Sequence, residues 1–218
     1  TEVVITPDLK VLDGRYSNSG WLQELPDPIT KLTWDNAALL SPVTAKTLAV
    51  ENNDVIHIEA DGRSIEIPVL IQPGHADKAI SLSLGYGRTS VGQVGRHVGQ
   101  DVYPLRTTEA FWHSSRAVVR KTTKRYPLAY TQDHHSMEGR PIARELAVGE
   151  SLSSPHESEV HHAPLYQQPS YDDGYQWGMS IDLSSCIGCN ACMVACQAEN
   201  NIPIVGKAEV ANGREMHW

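Results

Sequence analysis

Between residues 54 and 71 the chain reads "DVIHIEADGRSIEIPVLI". Ile65, Ile67, Val69 and Ile71 alternate with Glu66, Pro68 and Leu70, a period of two that predicts a strand with one buried face. A second apolar run, Val55 to Ile58, precedes it, and Asp61-Gly62 lies between the two. Asp-Gly between two such runs predicts a hairpin: Val55 to Ile58 going out, Ser64 to Ile71 returning. Pro68 has no N–H to give to a ladder, so part of the return strand is expected at an edge or bulge. Ile80, Leu82 and Leu84 in "KAISLSLGYG" predict a third strand, and Val118-Val119 in "SRAVVRKTT" mark another. Upstream, "SPVTAKTLAV" predicts a short helix with Ser41 as N-cap and Pro42 in the first helical position. Short strands at this spacing suggest a small β-barrel, and the fold class is read as mainly β.

The alternation then stops. From Thr131 to Gln176 the chain is rich in His, Ser, Pro, Gln and acids, with no sustained apolar period. "RPIARELAV" alone could form a turn or two of helix. This stretch reads as a long connector lying along a partner surface. From Trp177 the texture changes again: "WGMSIDLSSC" places Met179 and Ile181 on one strand. The expected organisation is a β domain over 1–130, an extended linker over 131–176, and the start of another domain over 177–218. No internal repeat is visible.

Composition narrows the function classes. A chain of 218 residues holds one or two domains and can bury a sizeable core. Its 13 prolines, 16 glycines and single phenylalanine favour loops and short strands over long helices. A formal charge of −8 gives no electrostatic reason to expect nucleic acid as a partner. No run of about 18 apolar residues is present to span a membrane. The N-terminus lacks the basic and apolar regions of a signal peptide, and it lacks an initiator methionine, so the chain is expected to be a fragment of a longer one.

The decisive chemistry is "CIGCNACMVAC". All 4 cysteines of the chain fall inside it: Cys186, Cys189, Cys192 and Cys196, spaced C-x2-C-x2-C-x3-C. This is the bacterial ferredoxin run, which holds iron–sulfur clusters through thiolates. Three cysteines two residues apart wrap one loop around a cluster, while the fourth is expected to start a helix and point toward a second cluster. The small Gly188 and Ala191 let backbone approach the cluster. Disulfides at these spacings would close very short, strained loops. Structural zinc usually shows two separated C-x2-C pairs, and a second pair is absent here.

The cysteine run, followed by Glu199-Asn200, Pro203, Gly213-Arg214 and Trp218, resembles the first cluster motif of the multi-cluster iron–sulfur subunits that accompany molybdopterin oxidoreductases. It differs from small ferredoxins in having Gln197, not proline, after the fourth cysteine. The resemblance implies that Cys186, Cys189 and Cys192 hold one 4Fe–4S cluster and Cys196 helps hold another, with the remaining motifs elsewhere in the parent protein. The front segment, from "GRYSNSGWLQELPDPITKLTWDNAALL" onward, resembles the C-terminal double-psi β-barrel (aspartate-decarboxylase-like) of molybdopterin oxidoreductases. That likeness implies cofactor proximity for Tyr16, Ser17 and Asn18, for Gly85, Gly87 and Arg88 in "GYGR", and for Gly99 and Asp101 in "GQDVYPL". Asp101 and Tyr103 stand where asparagines are usual, and this departure bears on whether molybdopterin guanine dinucleotide is bound. The two likenesses cover roughly 13–106 and 177–218. A barrel fused to a cluster subunit in this order resembles the iron–sulfur protein of alternative complex III, a bacterial respiratory quinol-oxidising complex. In that family the barrel is scaffold, and the other subunits form a membrane-bound complex, here expected on the periplasmic side.

Other features have ordinary readings. His134-His135, His156 and His161-His162 sit in the polar connector as solvated side chains rather than metal ligands. "GYGRTS" lacks the third glycine and the helix of a dinucleotide loop. "RAVVRKTTKR" reads as a strand edge guarded by Lys and Arg. The five tryptophans are expected to be core and interface anchors, with Trp177 and Trp218 shielding the cysteine run. No Ser-His-Asp grouping or acid pair argues for catalysis by this chain itself.

Overall fold

The structure, a computed structural model, describes residues 1–131, 138–139, 143–150, 165–167, 169–170 and 172–214. By contacts the chain divides into two compact units, Thr1–Gln132 with Gly188–Trp218, and Asp133–Ile187.

The hairpin forms as the alternation predicts. Strand β4 (Asp54–Ala60) pairs antiparallel with β5 (Arg63–Ile71). Ile56 faces Ile67 and Ile58 faces Ile65 across the ladder, which puts all four on the buried side. The connecting residues Asp61 (φ 50°) and Gly62 (φ 74°) are both left-handed, as a type I′ turn requires. The helix also forms: α2 (Pro42–Leu48) starts at Ser41, whose Oγ accepts the Thr44 N–H at 3.0 Å.

What the local pattern could not show is how the strands meet. The remaining strands are β1 (Glu2–Thr6), β2 (Leu32–Thr33), β3 (Ala38–Leu40), β6 (Ala79–Ser83), β7 (His113–Ser114), β8 (Val118–Arg125) and β9 (Ala129–Tyr130). Among the described residues, seven of the nine strands form one mixed sheet in the order β7-β1-β6-β3-β5-β4-β8, and β2 pairs with β9 separately. Two neighbours are parallel, β1 with β6 and β3 with β5; the rest are antiparallel. β5 has β4 along residues 63–68 but meets β3 only from Val69 onward. Pro68 thus sits where one side of the strand is still without a ladder, the partial edge its missing N–H calls for.

One core joins residues from both ends of the sheet: Val3 and Ile5 from β1, Leu40 from β3, Ile56 and Ile58 from β4, all at most 2% exposed. A flat sheet could not gather them, so the sheet curls around that core. Among the described residues no ladder joins the outer strands β7 and β8. The fold is therefore mainly β with a curled seven-stranded sheet and few helices. β8 lies at the sheet edge, with Arg120, Lys121, Lys124 and Arg125 along it, the charged guard read from "RAVVRKTTKR".

Three expectations differ from the structure. Residues 143–148, the described part of "RPIARELAV", are not helical; so short a run cannot recover the cost of nucleating a helix without packing. Met179 and Ile181 are exposed and lie in no strand, since among the described residues no partner offers them a ladder. Trp177 is 95% exposed rather than a shield. The five connector histidines and Trp218 lie outside the described residues. Among the described residues no helix is long and apolar enough to cross a membrane.

Candidate iron–sulfur centre

The approach to the first cysteine is a side-chain-braced turn. Asp182 Oδ1 accepts the Ser184 N–H at 2.9 Å, its Oδ2 accepts the Ser185 hydroxyl at 2.9 Å, and its carbonyl accepts the Cys186 N–H at 3.0 Å. These donors, the Ser185 hydroxyl foremost, hold the Asp182 carboxyl below its ordinary value. The turn ends by presenting Cys186 to solvent.

The loop then takes two left-handed steps, at Gly188 (φ 67°) and Asn190 (φ 60°). A Cβ at Gly188 would meet only the Pro28 side chain, at 3.8 Å, so glycine is needed there for the backbone angle rather than for room. Asn190 tolerates the same angle, and its Nδ2 donates to the Pro26 carbonyl at 3.0 Å, fastening the loop to the β body. Helix α3 (Ala191–Glu199) begins immediately after. It starts earlier than the sequence suggested, because Asn190 already serves as its left-handed N-cap. Cys192 therefore lies on the same helix as Cys196, one turn before it and on the same face. All four thiols are free and exposed.

The segment after α3 is held by acids of the β body that sequence reasoning did not single out. Helix α1 (Gly20–Glu24) packs against α3, and Trp21 Nε1 donates to the Ile202 carbonyl at 3.1 Å. The buried Glu24 carboxylate accepts the Val205 N–H at 3.1 Å and the Gly206 N–H at 2.7 Å, and also Trp34 Nε1 at 3.0 Å. Helix α4 (Lys207–Ala211) follows, and its Val210 is buried with Trp34 and Ala129. Lys207 Nζ lies 2.6 Å from Asp35 Oδ2 and 3.9 Å over the Tyr126 ring, while the Tyr126 hydroxyl donates to Asp35 Oδ1 at 2.9 Å. Burial pushes the Asp35 carboxyl up, against the pull of Lys207. Burial alone would lower Lys207, but the Asp35 carboxylate holds its ammonium above the ordinary value. Neither acid stands out in sequence, because Glu24 accepts N–H groups 181 and 182 residues away and the cation of Asp35 is 172 residues away.

The eight residues singled out in the front segment come together as one cluster of loops. Asn18 Oδ1 accepts N–H groups of Val94 (3.2 Å) and Gly95 (3.4 Å). The carbonyl of Ser17, a buried residue, accepts Gln23 Nε2 at 2.9 Å, and Tyr16 is half-exposed beside it. Gly87 donates its N–H to Val98 O at 2.7 Å, and the Arg88 carbonyl accepts the His97 N–H at 2.9 Å. Asp101 Oδ1 accepts the Tyr103 N–H at 2.9 Å. The glycines are where chain meets chain. A Cβ at Gly87 would lie 2.1 Å from Asp101 N, one at Gly85 would lie 2.8 Å from Leu12 O, and one at Gly99 would lie 2.7 Å from Tyr86 Cβ. The space in front of them is filled by the protein's own atoms.

Does the donor set fit an iron–sulfur cluster? Four free thiols on a short loop and the helix after it are its ligand chemistry. Among the described residues no three His, Cys, Asp or Glu side chains are gathered as a ready metal group. Residues 177–198 match a 4Fe-4S binding domain. Over 27 residues the chain is 78% identical to the menaquinone reductase iron-sulfur cluster-binding subunit of Nitratidesulfovibrio vulgaris. That match covers 12% of this chain, and the chain spans only 11% of that subunit. Acetylene hydratase from Pelobacter acetylenicus superposes with a TM-score of 0.33 at 18% identity, over 44% of this chain and 14% of that one. The family match and the curated relative support an iron–sulfur, electron-transfer role for the cysteine segment.

Proposed function

We propose that the chain belongs to an iron–sulfur electron-transfer subunit of a respiratory oxidoreductase complex, relaying electrons through 4Fe–4S clusters while the β body serves as scaffold. The observation that carries this reading is the set of four free, exposed cysteines at ferredoxin spacing inside the stretch that matches a 4Fe-4S binding domain. When bound, a 4Fe–4S cluster supplies one-electron transfer. Cys186, Cys189 and Cys192 hold one cluster and Cys196 contributes to a second, whose other ligands lie in further iron–sulfur motifs. Glu24, Asp35 and Asn190 fix the ligand helix and its flanks to the body, which fixes the distance an electron must cross. The body over 1–130 is read as a double-psi barrel, 131–176 as a connector, and 177–218 as the start of a ferredoxin-type domain. The two parallel pairs between strands distant in sequence favour the barrel reading. The partners are the other subunits of a membrane-bound complex on the periplasmic side.

The second reading is a catalytic molybdopterin oxidoreductase, with the loop cluster of Tyr16, Ser17, Asn18, Gly85, Gly87, Arg88, Gly99 and Asp101 against the pterin dinucleotide. The convergence of those residues favours it; the filled space in front of the glycines favours scaffold. Anaerobic reconstitution of the wild type and of Cys196→Ser, with iron, sulfide and molybdenum analysis and EPR, tests both. The scaffold reading expects four-iron cluster signals and no molybdenum. A protein that takes up no iron and sulfide refutes it, and stoichiometric molybdenum with pterin favours the enzyme. A single cluster abolished by Cys196→Ser would show that all four cysteines serve one cluster. In air the exposed thiols are expected to oxidise and the site to lose iron.

A further inference from the structure

We propose that Asn200 is a positioning residue for the ligand Cys196 and raises the reduction potential of the cluster that Cys196 joins. The inference rests on the iron–sulfur reading above. Asn200 is the residue at which α3 ends, with its backbone N–H on the Cys196 carbonyl at 3.0 Å. Its side chain does more than a helix stop requires. Nδ2 donates to the same carbonyl at 2.9 Å and reaches Cys196 Sγ at 3.5 Å. An amide NH2 carries two hydrogens, so one can serve the carbonyl while the other faces the sulfur. A contact of 3.5 Å suits N–H···S, because sulfur is larger than oxygen. The four-residue spacing makes the geometry possible: the side chain of a residue one turn on folds back over the turn before it.

The electrostatic consequence has a definite sign. Reduction adds one electron to a cluster and makes its thiolate ligands more negative, with no bond made or broken and no proton moved. A fixed N–H dipole aimed at one of those sulfurs stabilises the reduced state more than the oxidised one. Hydrogen bonds to cluster sulfurs are a recognised control on potential. The same bond restricts the rotamer of Cys196 and so aims the thiolate. A helix-capping role alone would affect folding and leave the potential unmoved.

The test is an EPR-monitored redox titration of the anaerobically purified protein, with the electron supplied by an electrode. The signal to follow is the one that Cys196→Ser perturbs. Asn200→Leu removes the donor at similar volume; Asn200→Asp keeps the shape and presents only acceptors to the sulfur. The expected result is a midpoint lowered in Asn200→Leu and lowered further in Asn200→Asp, at unchanged iron and sulfide per chain, with a shifted Fe–S(Cys) stretch in resonance Raman. If Asn200→Leu fails to assemble a cluster, Asn200→Asp decides. Unchanged midpoints in a fully loaded protein overturn this proposal while leaving the iron–sulfur reading intact. So does a Cys196→Ser variant that perturbs no cluster signal. A wild-type protein that takes up no cluster overturns both.

Discussion

The β body and residues 188–214 are built on opposite principles, although both belong to one compact unit. In the body, apolar side chains from β1, β3, β4, β5 and β6 close one core, and Leu40, Ile56, Ile58, Ile67 and Ile80 are fully buried. The chain's own side chains close that core. In residues 188–214 only Gln197 and Val210 are buried, and the segment is fastened by polar bonds to acceptors of the body: Pro26 O, Glu24 and Asp35. A segment whose own apolar content cannot hold it must borrow its hydrogen-bond partners, and those partners must already be in place. The body therefore organises the ligand helix, and its stability should not depend on the metal.

The strongest way to break that ordering is through the core. Ile67 is fully buried and faces Ile56 across the hairpin. Ile67→Ala should cost about 4 kcal/mol, the lost transfer energy plus a cavity the neighbouring strands cannot close. Denaturant titration should show the body and the α4 segment lost together, since the segment has nothing else to hold it. A variant that unfolds at the wild-type midpoint would show that the core is not where the stability lies.

Next in size is Glu24. Glu24→Ala strands the Val205 and Gly206 N–H groups and Trp34 Nε1, and buried donors without acceptors together should cost about 3 kcal/mol. Here the loss should be local. Hydrogen exchange should speed up across 202–211 while β4 and β5 keep their protection. Equal loss of protection in the hairpin would show that the two regions are not separable as argued.

These two residues also mark how far the sequence could be read. Ile67 was legible because a strand's alternation and its Asp-Gly turn are local signals, and so was the Ser41-Pro42 helix start. The cysteine chemistry was legible because the ligand spacing is itself local. Glu24 was not, because nothing near it in "WLQELPDP" tells a solvated acid from one that accepts backbone N–H groups 181 and 182 residues away. The parallel pairing of β1 with β6 was hidden for the same reason: parallel neighbours share no turn. The start of α3 was missed because the left-handed Asn190 that begins it is held by Pro26, a contact 164 residues distant.

Third comes the ion pair that seats α4. Lys207 is partly exposed and Asp35 is not, so Lys207→Met leaves a buried carboxylate with the Tyr126 hydroxyl but without its cation. The expected cost is about 2 kcal/mol, less than for a fully buried pair because Lys207 retains access to water. Lys207 is held above its ordinary 10.5 by Asp35. The stabilisation is thus complete below that pH and is lost as pH rises through the higher folded value. Exchange protection of α4 should fall in strong alkali in the wild type and already be low at neutral pH in Lys207→Met. Equal protection in both proteins at neutral pH would show that the pair does not seat the helix.

The smallest effect separates the two regions by the sign of their response to acid. Asp54 closes the start of β4: its Oδ2 accepts the Glu51 N–H at 2.8 Å and lies 2.6 Å from Lys121 Nζ on β8, with Arg125 at 3.7 Å from Oδ1. The Lys121 contact foremost, then the Glu51 N–H, holds its carboxyl below the ordinary 3.8. A depressed folded value means that this stabilisation is present above 3.8 and is lost as pH falls through the lower value. Both cations are well exposed, so the effect should be only about 1 kcal/mol. Asp35 behaves oppositely. Burial raises its value, so as pH falls through that value the folded state gains relative to the unfolded one. The Asp35 gain thus falls above 3.8 and the Asp54 loss below it, so acidification through 3.8 should loosen β8 while the Asp35 contribution at α4 runs the other way. Asp54→Asn should flatten the acid response of β8 and leave that of α4 unchanged. Residue-resolved hydrogen exchange across this range reads both, and parallel acid loss in β8 and α4 that Asp54→Asn leaves untouched would refute the assignment of opposite signs.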